Sequence, residues 1–373
     1  MILNNVTTLT GEGPVNIQIK NGKIIPIKGP AADAIKLTFD NAIIFPGLVN
    51  SHDHLDFNLF PQLGDRIYNN YTEWGAYIHK NYKPEIAAVL KVPLALRTSW
   101  GIFKNLLGGV TTVLNHGERL TVPNPLINVE QGHSLHSVKF EKMWKIKLNN
   151  PLKRKLPVVI HVGEGSDPQS NQEIDELVNW NFLNRKLIGV HGVAMTEKQA
   201  QKFEALIWCP ASNYFLLNKT ARVDQLKNHT TILFGTDSTL TGNWNIWEHI
   251  RLARKTKMLT DNELYNSLHL NPAVTQTSAD NKPAFVVAKK REWETPFESF
   301  FSTDPADILL VIYDEHIRLF DETMLGQLTG TDIKEFSKIY INGACKYVQG
   351  DLPRLMKQIE EYYPEVVFPV TSN

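Results

Sequence analysis

The sequence is poor in cysteine, has no excess of charge of either sign and contains no long apolar run. With Cys209 and Cys345 as its only cysteines, it excludes a disulfide framework and favours a reduced, cytoplasmic protein. Lys+Arg and Asp+Glu number 39 each, a balance that argues against nucleic acid as a partner. No apolar stretch approaches the roughly 20 residues of a membrane-spanning helix. We therefore expect neither a membrane partner nor, from the N-terminal residues, a signal peptide.

The 373 residues suit one large α/β barrel with an appendage. Residues 1–45 alternate as β-strands do and include a turn at Asn21-Gly22. From residue 46 strands alternate with helices, such as the helical pattern over 85–107 and the helix that Thr196 is expected to cap. This alternation predicts a parallel sheet covered by helices. Strand-like segments at 285–288 and 308–312 are expected to rejoin residues 1–45 in one sheet.

Two histidines follow the first strand of the barrel-like region. His52 and His54 are separated by one residue, so on a strand they point to the same side and could hold one metal ion. An isolated pair of this kind is usually two surface histidines. Here further polar side chains come at the ends of later strands, where a barrel assembles its active site: His116, His161, His191, Asn213 and Asp237.

Four of these side chains form a plausible ligand set for one divalent ion. His52, His54 and His161 supply nitrogen, and Asp237 supplies oxygen. With a water in the remaining position, the ion would lower the pKa of that water and make it a nucleophile. Zinc is the expected metal, and iron stays open because the same ligands serve both.

Two residues are candidates for proton transfer. Glu164 lies three residues after His161, and Gly163 lets the chain bend back toward the pocket. A carboxyl group there can move a proton from water to a leaving nitrogen. His191 can polarise the water or stabilise an oxyanion. The alternatives are a solvated loop glutamate and a core histidine.

Several ordered motifs together resemble the amidohydrolase superfamily. The chain is most similar to the mononuclear-metal branch that holds cytosine, guanine and S-adenosylhomocysteine deaminases, triazine hydrolases and imidazolonepropionase. The matching segments are Pro46-Gly47-Leu48-Val49-Asn50-Ser51-His52-Asp53-His54, Gly109-Val110-Thr111-Thr112-Val113, His161-Val162-Gly163-Glu164, Val190-His191-Gly192, Cys209-Pro210-Ala211-Ser212-Asn213, Gly235-Thr236-Asp237, Asn271-Pro272-Ala273 and Asp304-Pro305-Ala306-Asp307-Ile308.

The resemblance implies a (β/α)₈ TIM barrel over 46–279. It also implies a small β-sandwich from 1–45 and 280–330, and we expect a helical extension over 331–373. One metal would be held by His52, His54, His161 and Asp237, with Glu164, His191 and Asp237 as catalytic residues. A lysine bridging two metals would mark another branch, and only Lys139 is worth a check.

The segment between His116 and His161 is too short for two ordinary strand–helix units, each of which takes about 30 residues. We therefore expect the third and fourth units to be trimmed, with at most one complete unit in 117–157. These loops normally line the pocket, so the substrate is not readable.

The favoured function is metal-dependent deamination of a small cyclic substrate. Ring opening of a cyclic amide uses the same residues, and a barrel that binds metal or ligand without turnover is a weaker alternative. An aromatic side chain can stack on a flat ring and an arginine can pair with an acidic group, although packing or surface roles are equally open. The expected substrate contacts are Trp74, His116, Arg119, Asn213 and Trp244. A homo-oligomer also stays open.

Overall fold

A computed structural model describes residues 1–20, 23–25, 35–269, 282–329 and 331–372. It shows a mixed α/β fold with two parallel sheets and one larger sheet. The strands, in chain order, are β1 (Ile2–Thr8), β2 (Val15–Lys20), β3 (Lys23–Ile25), β4 (Lys36–Pro46), β5 (Leu48–Asp53), β6 (Val110–Asn115), β7 (Asn128–Glu130), β8 (His133–Ser137), β9 (Val158–Val162), β10 (Leu187–His191), β11 (Ala205–Trp208), β12 (Thr231–Phe234), β13 (Ala284–Lys289), β14 (Ile308–Tyr313), β15 (His316–Asp321), β16 (Phe336–Ile341) and β17 (Ala344–Gln349).

The helices lie mainly between the strands of the parallel sheets. They are α1 (Tyr71–Asn81), α2 (Lys83–Lys91), α3 (Leu94–Leu107), α4 (Trp144–Leu148), α5 (Pro168–Trp180), α6 (Glu197–Ala200), α7 (Pro210–Leu217), α8 (Val223–Leu226), α9 (Ile246–Thr256), α10 (Asp261–Ser267), α11 (Pro296–Phe301) and α12 (Leu352–Tyr362). Thr196 caps α6 as expected, by accepting a hydrogen bond from the backbone N–H of Gln199.

Strands from both chain ends share the nine-stranded sheet. Its order is β16-β17-β15-β14-β13-β4-β1-β2-β3, so β13 of the C-terminal half pairs with β4 of the N-terminal half. The two segments therefore rejoin in one sheet, while their closure into a sandwich stays a prediction. The expected turn at Asn21-Gly22, the segment Asn271-Pro272-Ala273 and the boundary at 279/280 lie outside the described residues.

The prediction of a helical extension over 331–373 is wrong for its first half. Residues 336–349 form the hairpin β16–β17, and only α12 after it is helical. The hairpin turns at Asn342-Gly343, where both residues have positive φ (47° and 81°). Asparagine followed by glycine is the strongest short-range hairpin signal, because both residues accept the left-handed conformation that a tight two-residue turn requires.

The two parallel sheets carry the barrel-like region. Their orders are β5-β6-β7 and β8-β9-β10-β11-β12. The backbone N–H groups of Thr236 and Asp237, just after β12, donate to the carbonyl oxygen of His52 at 3.2 and 3.0 Å. The last strand is thus joined to the first by hydrogen bonds at the end where the motif residues lie. Full closure of the barrel stays a prediction.

The expected trimming is visible as one extended segment, 128–137, that takes the place of two strands. Its first part, β7, pairs with β6, and its second part, β8, pairs with β9. Only Gln131 and Gly132 separate the two parts, and no helix lies between them. Within 117–157 the complete strand–helix unit is β8 with α4, in agreement with the length argument.

The helix predicted over 85–107 is broken into α2 and α3. Pro93 has no backbone N–H and disfavours helical geometry at Val92, so the two helices meet at 93°. Among the described residues no single helix is long and apolar enough to cross a membrane, although this bent pair passes together on length and composition. Gly101 of α3 lies so close to the carbonyl of Leu55 that a Cβ there would clash. This contact presses α3 against the chain just after His54.

Candidate metal and catalytic site

Four of the predicted ligands converge at the carboxyl ends of the parallel strands. The Nε2 atoms of His52 and His161 are 3.2 Å apart. Oδ1 of Asp237 lies 3.8 Å from Nε2 of His52 and 3.7 Å from Nε2 of His54. His52 is fully buried, and the side chain of His54, the most open of the set, is 14% exposed. Two overlapping groups of ligand atoms could each hold a metal ion, since their members lie within 4.8 Å of one another: His52 with His161 and His191, and His52 with His54 and Asp237.

Burial favours the neutral form of His52 and of His161. It lowers the pKa of His52 and of His161 well below the ordinary value, and the neighbouring imidazoles lower both further. Nδ1 of His161 faces the backbone carbonyl of His136 at 2.7 Å. A carbonyl only accepts, so Nδ1 carries the proton and Nε2 presents a lone pair to the cluster. The ring is thus held in the tautomer that a metal ligand needs.

Asp237 is held as an ionised carboxylate. Burial alone would raise its pKa, but His54 and His191, with the hydroxyl of Ser212, bring the pKa below the ordinary value. Its Oδ2 accepts hydrogen bonds from Ser212 Oγ at 2.9 Å and from Thr241 Oγ1 at 3.0 Å. These contacts leave Oδ1 as the atom that faces His52 and His54.

His191 and Asp237 share an uncommon backbone conformation. Their φ angles are +70° and +58°, in the left-handed region that residues other than glycine rarely adopt. Such residues cost about 1–3 kcal/mol each and persist where the surrounding structure fixes them. Both stand at or just after a strand end and point into the cluster. Two residues expected to do chemistry thus have this conformation, which other described residues such as Asn218 and Lys257 share.

Glu164 lies beside His191, with Oε1 at 3.6 Å from Nε2. It is buried, and burial, followed by the charges of Asp237 and Glu173, raises its pKa well above the ordinary value. Burial therefore favours the protonated form of this carboxyl group. Gly163 makes this placement possible, because its φ of +61° turns the chain just after the strand.

Hydrogen bonds among Glu173, Gly163, Tyr71 and Glu164 hold the chain around Glu164 in place, and the sequence did not predict them. Glu173 of α5 accepts from the backbone N–H of Gly163 at 2.8 Å and from the Tyr71 hydroxyl at 3.2 Å. The backbone N–H of Tyr71 donates to the carbonyl of Glu164 at 3.0 Å. Burial raises the pKa of Glu173 to about 7. No motif marks Glu173 or Tyr71, since their roles arise only from packing of α1 and α5.

His191 is oriented from behind by Asn213. Its Nδ1 lies 2.8 Å from Asn213 Oδ1, while Asn213 Nδ2 donates to Thr220 Oγ1 at 3.2 Å. Nε2 of the neutral ring is therefore the free acceptor that faces Glu164 and Asp237. Asn213 is fully buried, so the contacts observed for this expected substrate residue are with protein.

The other expected substrate residues are dispersed. His116 is buried behind the ligands, with its ring centroid 4.2 Å from that of His161. Trp74 is half-buried and donates from Nε1 to the carbonyl of Leu63 at 2.7 Å. Trp244 lines a groove between the loops after β5 and β12 and the C-terminal segment. Arg119 is exposed, as is Lys139, which stands apart from the buried ligands.

His136 was missed, although it stands near the end of β8 with its ring centroid 5.2 Å from that of His161. His136 is exposed. The available signal was the spacing of His133 and His136 in a short strand. His136 was not predicted as a site residue because the segment around it was expected to be irregular and trimmed.

Asp53, between the two histidines of the motif, was also missed. Its side chain is fully buried on the opposite side of the strand, where Oδ2 accepts from Lys104 Nζ at 3.0 Å and from Asn105 Nδ2 at 2.7 Å. Asn58 Nδ2 donates to Oδ1 at 2.8 Å. A lysine in the apolar face of α3 was the signal that a buried acidic partner was required. The pair anchors the ligand-bearing strand to α3.

Comparisons with known proteins agree with this fold. Neither a protein-family model nor a curated protein matches the sequence. Solved structures match the fold of the chain. An adenosine deaminase from Xanthomonas campestris with bound zinc is 13% identical, with a TM-score of 0.69 over 97% of each chain. A mutant atrazine chlorohydrolase from Arthrobacter aurescens, complexed with zinc and atraton, is 13% identical, with a TM-score of 0.67 over 97% of this chain and 100% of that one.

A guanine deaminase from C. acetobutylicum with bound guanine is 14% identical, with a TM-score of 0.60 over 85% of this chain and 99% of that one. Guanine deaminase is among the proteins that the motifs resemble. At such low identity the likeness shows a shared fold. The resemblance is confirmed at that level, and the chemistry has to be argued from the residues.

Proposed function

We propose that the chain is a metal-dependent hydrolase that cleaves a carbon–nitrogen bond in a small cyclic substrate, with deamination as the favoured reaction. The observation that carries the proposal is the convergence of histidine nitrogens, the ionised Asp237 and the buried Glu164, whose pKa is raised by burial. We also propose that the eight strands close as a barrel around this site, with a β-sandwich beside it.

The proposed ligands of a single ion are His52, His54, His161 and Asp237. Their imidazole nitrogens and single carboxylate suit zinc, the metal named for the adenosine deaminase and atrazine chlorohydrolase structures. When bound, the ion supplies Lewis-acid activation of water. Among the described residues, Lys139 is too exposed to serve as the bridging ligand of a second ion.

Two residues are suited to orient and deprotonate the attacking water. Asp237 is ionised and can accept a proton. The hydrogen bonds that it accepts from the hydroxyls of Ser212 and Thr241 hold the carboxylate in one orientation. His191 offers the lone pair of Nε2, because Nδ1 is committed to Asn213. It therefore accepts a hydrogen bond from water and aims the oxygen at the substrate carbon.

Glu164 is suited to move protons to nitrogen. In deamination the C–O bond forms, the C–NH₂ bond breaks, and the two protons of water end on the ring nitrogen and on the departing ammonia. An amino group leaves readily only after it is protonated, so an acid within reach is required. The raised pKa of Glu164 and its position next to His191 meet that requirement.

The substrate, the location and the partners of the protein also stay proposals. A small-molecule substrate fits a site made of buried side chains at strand ends, and Trp74, His116, Arg119 and Trp244 remain candidate contacts. A cytoplasmic location, the absence of nucleic-acid and membrane partners, and a homo-oligomeric state are predictions.

The experiment is an assay of zinc-loaded protein against purines, pyrimidines, pterins and cyclic amides. Ammonia release, together with replacement of an amino group by oxygen in the product mass, would support deamination. Addition of water without ammonia release would support ring opening instead. A Glu164→Gln variant in parallel excludes contaminating activity. If no substrate reacts while zinc binds stoichiometrically, binding without turnover becomes the better interpretation.

A further inference from the structure

A buried cluster of polar side chains joins the first strand of the barrel-like region, helix α3 and the chain just after the last strand. Its members are each at most 2% exposed: Asn50 and Asp53 of β5, Lys104 and Asn105 of α3, and Thr236 after β12. Burying polar side chains costs free energy unless each finds hydrogen-bond partners. The ion pair of Asp53 and Lys104 accounts for the contact with α3, but it leaves the roles of Asn50 and Thr236 to be explained.

Asn50 connects Thr236 to the first strand. Its Nδ2 donates to Thr236 Oγ1 at 2.8 Å and to Asn105 Oδ1 at 3.0 Å, and it lies 3.2 Å from Asp53 Oδ2. Its Oδ1 accepts from the backbone N–H of Thr236 at 3.0 Å. Because both ends of the amide are engaged, the side chain of Asn50 is held in one orientation. Two of its contacts go to Thr236, 186 positions away in the sequence, so Asn50 fixes the place of Thr236 beside β5.

Thr236 passes this constraint on to Asp237. Thr236 Oγ1 donates to the carbonyl oxygen of Asp237 at 2.9 Å, and the backbone N–H of Asp237 donates to the carbonyl of His52 at 3.0 Å. The peptide groups on both sides of Asp237 are therefore held. Asp237 has a φ of +58°, a conformation that persists only where the surrounding structure fixes it. The hydroxyl of Thr236 is one of the groups that fix it.

The main chain of Asp237 decides where its carboxylate stands. Oδ1 lies 3.8 Å from Nε2 of His52 and 3.7 Å from Nε2 of His54. Two hydroxyls bind the other oxygen, Oδ2, and orient the carboxylate, whereas Thr236 acts on the main chain that carries it. The groups of a binding site have to be held within about 0.5 Å of the productive geometry. A change in the main chain at Asp237 therefore matters for the distances from Oδ1 to both histidines.

We propose that Thr236 is a positioning residue, whose hydroxyl holds the main chain of Asp237 so that Oδ1 faces the histidines of β5. Asn50 holds Thr236 in turn, so the first strand sets the position of the carboxylate that follows the last strand. The consequence for zinc binding rests on the proposed function. Without this role Thr236 would only fill space, and valine in its place would leave Asp237 where it is.

Three variants separate the hydroxyl from the size of the side chain. Thr236→Val keeps the shape but loses the hydrogen bond to Asp237, while Nδ2 of Asn50 keeps its other two acceptors. Thr236→Ser keeps the hydroxyl and should rescue the wild-type behaviour. Thr98→Val is the matched control, because Thr98 is a buried residue of α3 whose hydroxyl has no hydrogen-bond partner among the described residues.

The first measurement is the crystal structure of each variant without metal. In Thr236→Val we expect Oδ1 of Asp237 to move by more than about 0.5 Å relative to Nε2 of His52 and of His54. In Thr236→Ser and Thr98→Val it should stay in place. A Thr236→Val structure with Asp237 unmoved would overturn the proposal. This measurement needs no metal, so it decides the positioning role whether or not the proposed function is correct.

The second measurement is the affinity for zinc by competition with a chelator. We expect Thr236→Val to bind zinc about tenfold more weakly, and Thr236→Ser and Thr98→Val to bind it as wild type does. Equal affinities for Thr236→Val and wild type would overturn the consequence for zinc. A wild-type protein that binds no zinc would instead overturn the proposed function. If Thr236→Val does not fold, Thr236→Ala replaces it, because alanine and serine differ only in the hydroxyl.

Discussion

The Nε2 atoms of His52 and His161 lie 3.2 Å apart although the two residues are 109 positions apart in the sequence. His161 directs a lone pair at His52, because its other nitrogen is committed to the carbonyl of His136. Nitrogen lone pairs that converge in a buried place are stabilised by a shared cation. This pair is therefore the geometric centre of the proposed metal site, which His54 and Asp237 would complete from β5 and the end of β12.

Replacing Glu164 by glutamine tests its proton-transfer role. The amide keeps the size of the side chain but neither donates an acidic proton nor accepts one, so we expect a rate at least about 10²-fold lower, with zinc content and fold unchanged. Glu85→Gln, at an exposed position of α2, is the control. Turnover of the identified substrate at the wild-type rate by Glu164→Gln would contradict the assignment.

Glu173 should make stability depend on pH. Burial raises its pKa from 4.5 to about 7, so its protonated form is the stable one in the folded protein. The stabilisation is complete below the unfolded pKa and is lost as the pH rises through the folded pKa. Relative to Glu173→Gln, which mimics the protonated acid, wild type should lose up to about 3 kcal/mol of unfolding free energy across this window.

Urea unfolding of both proteins at pH 4.5 and pH 8 measures this difference. Titrating groups that do not interact with Glu173 cancel in the comparison, because they are present in both proteins, whereas Glu164, whose pKa the charge of Glu173 raises, contributes to the measured difference. A constant difference between wild type and variant at the two pH values would show that Glu173 does not titrate in this range.

Lys104→Met should strongly destabilise the protein. It leaves the Asp53 carboxylate buried without its cation, which typically costs about 3–5 kcal/mol. Adding Asp53→Asn removes the uncompensated charge and should restore much of the loss. Lys80→Met on the exposed face of α1 is the control. Chemical denaturation of the single and double variants checks this, and a Lys104→Met variant as stable as the control would refute the anchoring role.

The convergence of His52, His54, His161 and Asp237 could be predicted because they come from short motifs at strand ends, where the spacing of His52 and His54 already fixes their direction. Their role as metal ligands stays a prediction. Glu164 was predictable for the same reason. Glu173, Tyr71 and Lys104 were not, because each acts across elements far apart in sequence. The β16–β17 hairpin was not predicted, although the pair Asn342-Gly343 indicates a tight hairpin turn. The break between α2 and α3 was not predicted either, although Pro93 indicates it.

Gly163→Ala should disturb the site through the backbone. Its φ of +61° is costly for alanine, and a Cβ would come within 2.8 Å of Ile174. We expect a loss of roughly 1–2 kcal/mol in unfolding free energy and a lower rate, since Glu164 follows directly. Gly13→Ala, where a Cβ meets nothing within 4 Å, is the control. Equal stability and rate for both variants would argue against a strained turn that positions Glu164.

The most direct test of the account is the location of zinc in a crystal by anomalous scattering at the zinc absorption edge. We predict one peak per chain, about 2.0–2.2 Å from a nitrogen of His52, His54 and His161 and from a carboxylate oxygen of Asp237. Alanine at any of these positions should abolish stoichiometric binding. Two peaks bridged by Lys139, or no peak among these four side chains in zinc-saturated protein, would contradict it.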